Sequence, residues 1–140
     1  MVLLIDVNVV IDVFTKREPF FDSSHKVLTA CAKEKVKGIL WTGEITTINY
    51  ILQRSLDKET ARKHTRSILA IFDVVDVTKE DMLDAESSEM LDYEVAVIAY
   101  SAKRAKANYI ITRNISDFKH SPIPAITPDD LLGMGALNNE

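Results

Sequence analysis

The sequence is poor in the residues that build several common functional sites. Its 140 residues include one cysteine, four glycines and three histidines. A single cysteine excludes an internal disulfide, and the widely spaced histidines show no pairing typical of a zinc site. So few glycines exclude a glycine-rich loop for nucleotide phosphates. No serine lies in a nucleophile-elbow sequence, so nothing supports a hydrolase triad.

Long apolar runs and an excess of positive charge are missing as well. The apolar run at the N-terminus has no basic region before it and is too short for a signal peptide or a membrane span, so we expect a cytoplasmic protein without membrane contacts. A formal net charge of −4 argues against a broad basic surface that coats nucleic acid. It still permits an acidic pocket with a local basic face, which would suit a metal-dependent enzyme acting on phosphodiesters.

Apolar runs and helical patterns alternate along the chain. The runs predict strands at 2–6, 38–41, 73–77, 108–112 and 125–126. This alternation predicts an α/β protein with three layers, in which helices cover both faces of a mostly parallel sheet of four or five strands. We expect one domain over residues 1–132 and a frayed tail over 133–140.

The first strand carries the first candidate for a functional residue. Residues 2–5 are all apolar and run straight into Asp6. This pattern predicts a parallel strand that is buried on both faces and places a carboxylate at its C-terminal edge. Ligands bind at that edge in open α/β sheets, which favours a functional role for Asp6. The alternative is that Asp6 only caps the short helix that begins near Asn8.

Further acids lie where the same edge is expected to gather them. They are Glu44, Asp92 and Glu94 in the first turns of two helices, and Asp117 in the loop after the fourth strand. Carboxylates that meet in one crevice repel each other, and a divalent cation stabilises such a cluster. Donor sets made only of oxygen favour Mg²⁺ or Mn²⁺, which can activate water for attack at phosphorus. Alternatively, each acid interacts only with the macrodipole of its own helix.

Three stretches resemble the signatures of PIN-domain proteins. They are residues 4–12, 92–96 and 109–118. The resemblance covers nearly the whole chain and keeps the motifs in order. It implies a parallel α/β/α fold and endoribonuclease activity that depends on Mg²⁺ or Mn²⁺. It also implies a role, frequent in this family, as the toxin of a toxin–antitoxin pair. Such a toxin forms a homodimer and is blocked by its antitoxin protein.

The resemblance assigns some of the family's site residues to this chain. Asp6 matches the acid after the first strand, and Asp117 matches the acid before the phenylalanine of the last motif. Asn8, Thr112 and Asn114 match polar positions that support those acids.

Two acidic positions of the family are not acidic in this sequence. Thr47 and Val95 occupy them. Glu44 lies three residues before Thr47, and Asp92 lies three before Val95, so each shares a helical face with the altered position at a distance of about 4.5 Å along the axis. Glu94 faces roughly 100° away from Val95 on a helix and is the weaker substitute.

Two interpretations of the pocket therefore remain open. In the first, Asp6, Glu44, Asp92 and Asp117 form a working nuclease site, with Asp6, Asp92 and Asp117 as metal ligands. In the second, the chain is a degenerate PIN domain that acts as a protein-binding or RNA-binding module without catalysis.

Basic residues complete the set of candidates. Arg113 lies beside the expected pocket and is the best candidate for holding a scissile phosphate. Arg62 and Arg66 lie in the middle of a predicted helix and are expected either to contact an RNA backbone or to remain solvated surface residues.

Overall fold

A parallel sheet of five strands forms the centre of the molecule. The structure, a computed structural model, describes residues 1–137. The strands are β1 (Val2–Ile5), β2 (Lys37–Trp41), β3 (Asp73–Val75), β4 (Tyr109–Ile111) and β5 (Ala125–Ile126). Their order in the sheet is β3-β2-β1-β4-β5, and all four pairings are parallel. The predicted α/β fold with a parallel sheet is confirmed.

Helices connect the strands and cover the sheet. They are α1 (Val7–Phe14), α2 (Phe21–Ala32), α3 (Thr42–Ser55), α4 (Lys58–Ile71), α5 (Lys79–Glu86), α6 (Tyr93–Arg104) and α7 (Pro128–Gly133), with a short 3₁₀ helix at Ile115–Phe118. Helices α1, α2, α3, α4 and α7 contribute to one apolar core, and α5 and α6 contribute to the other. None of the helices within residues 1–137 is long and apolar enough to cross a membrane.

The central strand β1 separates the two cores. Leu3 and Ile5 belong to one core and Leu4 to the other, as expected when successive side chains point to opposite faces. All three are fully buried. Leu4 pairs with Ile39 of β2 on one side and with Ile110 of β4 on the other. The apolar run in the sequence thus corresponds to a strand with neighbours on every side.

Two helices are shorter than the sequence predicts. The sequence pattern predicts a helix from about Asp22 to Lys35 and another from about Asp92 to Lys106, but α2 ends at Ala32 and α6 ends at Arg104. Glu34 and Lys106 adopt positive φ angles of 59° and 62°, and such left-handed backbone cannot continue a right-handed helix.

The predicted frayed tail falls partly on described residues. Gly133 is the last residue of α7, and Leu137 is buried against the first core. Residues 138–140 lie outside the described part of the chain. The domain boundary at residue 132 stays a prediction.

Gly38 of β2 leaves no room for a side chain. A Cβ atom added there would lie 2.6 Å from Phe72 Cδ1 and 2.8 Å from Cys31 Sγ. We expect Gly38→Ala to lower the free energy of unfolding by about 1–3 kcal/mol through overpacking, as measured by urea denaturation. Gly133→Ala is the matched control, since nothing lies within 4 Å of the added atom. Equal stability of the two variants would contradict this account of the packing.

Candidate active site

Asp6 lies at the C-terminal end of β1 with both carboxylate oxygens occupied. Its Oδ1 accepts a hydrogen bond from the Val7 amide at 2.8 Å, which caps α1. Its Oδ2 accepts from Thr112 Oγ1 at 2.7 Å and from Asn8 Nδ2 at 3.2 Å. Asp6 is therefore a helix cap and also faces the cavity described below.

The surroundings of Asp6 favour its protonated form. Burial raises the pKa of its carboxyl above the ordinary value, and the nearby Asp117 charge raises it further. The hydrogen bonds from Thr112, Val7 and Asn8 act in the opposite direction and offset only part of this effect.

Glu44 is the most deeply buried of the acids that line the cavity described below. It lies in the first turn of α3 and is only 1% exposed. Its Oε1 accepts from the Trp41 amide at 3.1 Å, whereas its Oε2 has no partner among the described residues. Burial raises the pKa of the Glu44 carboxyl well above its ordinary value, and the Asp6 charge adds to the effect. A buried carboxylate oxygen without a partner is costly in the folded protein.

Four acids line one cavity of about 470 Å³ at the C-terminal edge of the sheet. They are Asp6, Glu44, Glu94 and Asp117. They come from β1, α3, α6 and the 3₁₀ helix because parallel strands and the elements that follow them meet at the same edge. Thr47 and Val95 also line this cavity. The two positions at which the family resemblance leads us to expect an acid therefore face the same cavity.

The structure does not bring Asp92 to this cavity. Asp92 is the N-cap of α6, and its Oδ1 accepts a hydrogen bond from the Val95 amide at 3.0 Å. Its backbone angles, φ −100° and ψ 121°, are not helical, so the helical spacing that related it to Val95 does not apply at this residue. Among the described residues that line the cavity, α6 contributes Glu94 as its acid. The structure therefore places Glu94, and not Asp92, among these lining residues, and the role of Asp92 in the site stays a prediction.

The predicted supporting residues surround Asp6. Thr112 is fully buried, and its hydroxyl accepts from the Asn114 amide at 3.0 Å while it donates to Asp6. Asn8 Oδ1 accepts from the Arg113 amide at 3.4 Å. Since Asn8 and Asn114 both line the cavity, the loop after β4 is tied to the start of α1 beside the acids.

Arg113 lines the cavity and forms an ion pair with the buried carboxylate of Asp12. Its Nε donates to Asp12 Oδ2 at 2.6 Å and its Nη2 to Asp12 Oδ1 at 3.2 Å. The guanidinium also lies 4.1 Å from the centre of the Phe20 ring. Asp12 lies four residues after Asn8, on the same face of α1, and this spacing was the available sequence signal for its role. Asp12 is thus a site residue that was not predicted from the sequence.

Arg17 also lines the cavity and was not predicted. Its neighbours Lys16, Glu18 and Pro19 predict only that the helix before them ends and a loop begins. The predicted pair Arg62 and Arg66 lies elsewhere, on the exposed side of α4, and is not part of the described lining. Contact of that pair with RNA stays a prediction.

The donor set of the cavity fits a hard divalent cation. A cation would provide the missing partner of Glu44 Oε2 and would relieve the repulsion that Asp6 experiences from Asp117 and exerts on Glu44. Within residues 1–137, however, no three His, Cys, Asp or Glu side chains form a ready-made metal cluster. Mg²⁺ commonly binds through one or two carboxylates and keeps several waters, so this arrangement suits it better than a zinc ion.

Comparisons with known proteins agree with the geometry. A family model described as the PIN domain matches residues 2–116. A search of curated proteins found no matching relative.

Solved structures with the same fold come from several bacteria. VapBC2 from Rickettsia felis, bound to a DNA fragment from its promoter, has a TM-score of 0.71 at 18% identity, covering 91% of this chain and 98% of that one. A toxin-antitoxin complex from Klebsiella pneumoniae has a TM-score of 0.67 at 20% identity, and the match covers 90% of this chain and 97% of that one. VapC20 from Mycobacterium tuberculosis, described as a Sarcin-Ricin loop cleaving toxin, has a TM-score of 0.60 at 8% identity. The match covers 77% of this chain and 86% of that one. At these identities the likeness shows the fold.

The buried Glu44 gives stability a defined pH dependence. Because its pKa is raised in the folded state, the folded protein binds this proton more tightly than the unfolded chain does. The free energy of unfolding should therefore fall as pH rises from the ordinary glutamate value of 4.5 through the raised one. Without metal, we expect Glu44→Gln to flatten this decline and to stabilise the protein at about pH 7.5 by roughly 1–3 kcal/mol, the usual cost of an unpartnered buried group.

Urea denaturation in EDTA at about pH 5 and about pH 7.5 measures this effect. Glu59→Gln is the matched control, since Glu59 lies in the first turn of α4 on the exposed surface. A wild-type protein that keeps the same stability at both pH values, or an unchanged decline in Glu44→Gln, would contradict the assignment.

Proposed function

The chain belongs to the PIN-domain family, and from that premise we propose that it is a divalent-metal-dependent endoribonuclease and the toxin of a toxin–antitoxin pair. The observation that carries the proposal is the cavity in which Asp6, Glu44, Glu94 and Asp117 meet, with one buried carboxylate oxygen left without a partner. Such an arrangement is costly unless a cation or a proton compensates it.

Asp6, Glu44 and Asp117 are the proposed holders of Mg²⁺ or Mn²⁺. When bound, the cation supplies charge stabilisation at the phosphorus and a water of lowered pKa. Thr112 and Asn8 orient the Asp6 carboxylate through their hydrogen bonds to Oδ2. Glu44 keeps a proton to a higher pH than an ordinary glutamate does, and it would have to be deprotonated to act as a ligand of the cation.

Glu94 and Arg113 have distinct proposed roles. Glu94 faces the cavity from α6, where Val95 has no donor atom, and its carboxylate would hold a water beside the other acids. Arg113 binds the scissile phosphodiester, since Asp12 and the Phe20 ring already fix its guanidinium beside the acids. The fixed side chain loses little conformational entropy when the substrate binds.

The similar structures support the proposed partners. They include toxin-antitoxin complexes and a toxin whose name states that it cleaves the Sarcin-Ricin loop. We infer that RNA is the substrate, that an antitoxin protein inhibits the chain, and that it acts as a homodimer in the cytoplasm.

A degenerate PIN domain is the second candidate. Thr47 and Val95 favour it because neither replaces a carboxylate, and the described residues contain no ready-made cluster of three ligands. In this case the chain binds RNA or protein through the same fold without cleavage.

Asp6→Asn tests the nuclease. Asparagine caps a helix as well as aspartate does, so the fold should persist while the charge is lost. We expect the wild-type protein with millimolar Mn²⁺ to cleave RNA and to gain thermal stability, and the variant to lose at least about 100-fold in cleavage rate. Asp22→Asn, at an exposed ion pair with Lys26, is the control. A wild-type protein that neither cleaves nor gains stability would favour the degenerate interpretation.

A pair of variants at the start of α6 tests the proposed choice of Glu94 over Asp92. Glu94→Gln removes a charge from the cavity lining and should reduce Mn²⁺-dependent cleavage by about 10–100-fold. Asp92→Asn keeps the helix cap and should leave the cleavage rate within about twofold of wild type. The opposite order of effects, measured in one gel assay with the same RNA, would restore Asp92 as the functional acid.

A further inference from the structure

Two arginines at the edge of the acidic cavity share one aromatic ring. The guanidinium carbon of Arg113 lies 4.1 Å from the centre of the Phe20 ring, and that of Arg17 lies 5.9 Å from the same centre. Both arginines line the cavity that contains the four acids. One ring therefore attracts two positive charges beside the proposed site of cleavage.

Asp12 organises this arrangement through its side chain and its backbone. Its fully buried carboxylate accepts two hydrogen bonds from the Arg113 guanidinium. Its carbonyl oxygen accepts from the Arg17 amide at 2.9 Å, and the Arg17 carbonyl accepts from the Phe20 amide at 3.1 Å. The turn that carries Arg17 and Phe20 is thereby tied to the end of α1.

The charges in this cluster are not balanced. Asp12 neutralises Arg113, whereas no carboxylate within residues 1–137 forms an ion pair with Arg17. The Arg17 side chain is exposed, so an incoming anion can reach it without displacing a protein partner. A guanidinium binds a phosphate through paired N–H donors, a geometry that a lysine does not offer.

We propose that Arg17 and Arg113, held on the Phe20 ring, form a subsite for the single-stranded RNA backbone next to the scissile phosphate, with Arg17 binding the neighbouring phosphate. Asp12 is a positioning residue that acts through Arg113. The inference rests on the proposed function, since it takes RNA as the ligand. It differs in needing no cation, because the two guanidinium groups supply the positive charge for this phosphate.

Binding without metal tests the subsite. The probe is a short fluorescein-labelled single-stranded RNA, and anisotropy is measured in EDTA over a range of salt concentrations. We expect Arg17→Ala to weaken binding about tenfold and to reduce the slope of log affinity against log salt by about 0.7, the change for one phosphate contact. Arg17→Lys should retain the slope and part of the affinity, since it keeps the charge.

Arg54 provides a matched control. Its guanidinium carbon also lies over an aromatic ring, 5.7 Å from the centre of Tyr50, but on α3 and outside the described cavity lining. Arg54→Ala should bind the RNA as the wild type does. If Arg17→Ala keeps the wild-type affinity and salt slope, or if Arg54→Ala loses as much, the subsite is overturned.

Asp12→Asn tests the positioning role. We expect a steeper salt slope in EDTA, because the charge of Arg113 is no longer neutralised, and weaker RNA binding at high salt, because Arg113 is less firmly held. Thermal melting shows whether the variant is folded, and Arg17→Ala carries the test alone if it is not. Cleavage with Mn²⁺ is a separate measurement. If the wild-type protein binds RNA through Arg17 but never cleaves it, the proposed nuclease is contradicted and the subsite is supported. If the wild-type protein cleaves RNA while Arg17→Ala binds RNA as the wild type does, the nuclease is supported and the subsite is contradicted.

Discussion

The desolvation of Asp6 at the end of the central strand is the constraint on which the rest of the site depends. Strand β1 is enclosed by neighbours on both sides and by apolar cores on both faces, so a carboxylate at its end is held away from bulk water. Thr112, Asn8 and the first amide of α1 supply hydrogen bonds that position both oxygens. They offset only part of the cost of burial, which leaves the pKa of Asp6 raised.

Charge compensation explains why acids from separate elements can share the cavity. Glu44 is more deeply buried than Asp6 and has one oxygen without a partner. In the absence of a cation, protonation is the available way to lower the cost, as the raised pKa of Glu44 indicates. Proton binding and folding stability are consequently linked in this protein, and binding of the proposed cation would be linked to both. The altered positions Thr47 and Val95 reduce the number of fixed charges but keep the space for them.

The basic residues are arranged separately from the acids, although both line the same cavity. The buried carboxylate of Asp12 fixes Arg113, and the Phe20 ring fixes Arg113 and Arg17 relative to each other. A chain with a formal net charge of −4 can therefore present positive charge at one place where a phosphodiester is expected to bind. Phosphodiester binding at this place would depend on how these two arginines are positioned and would need no broad basic surface.

The sequence by itself determined the parallel α/β architecture, because apolar strand runs and helical patterns alternate in a way that few folds satisfy. It also determined Asp6 and Asp117 as cavity acids, since residues that follow parallel strands meet at one edge. Only the tertiary structure placed Glu94 on the cavity lining and Asp92 at the N-cap of α6, because a helix cap has non-helical backbone angles that spacing does not reveal. It alone joined Asp12, Arg17 and Phe20 to Arg113, since contacts between residues so distant in the chain depend on how the elements pack.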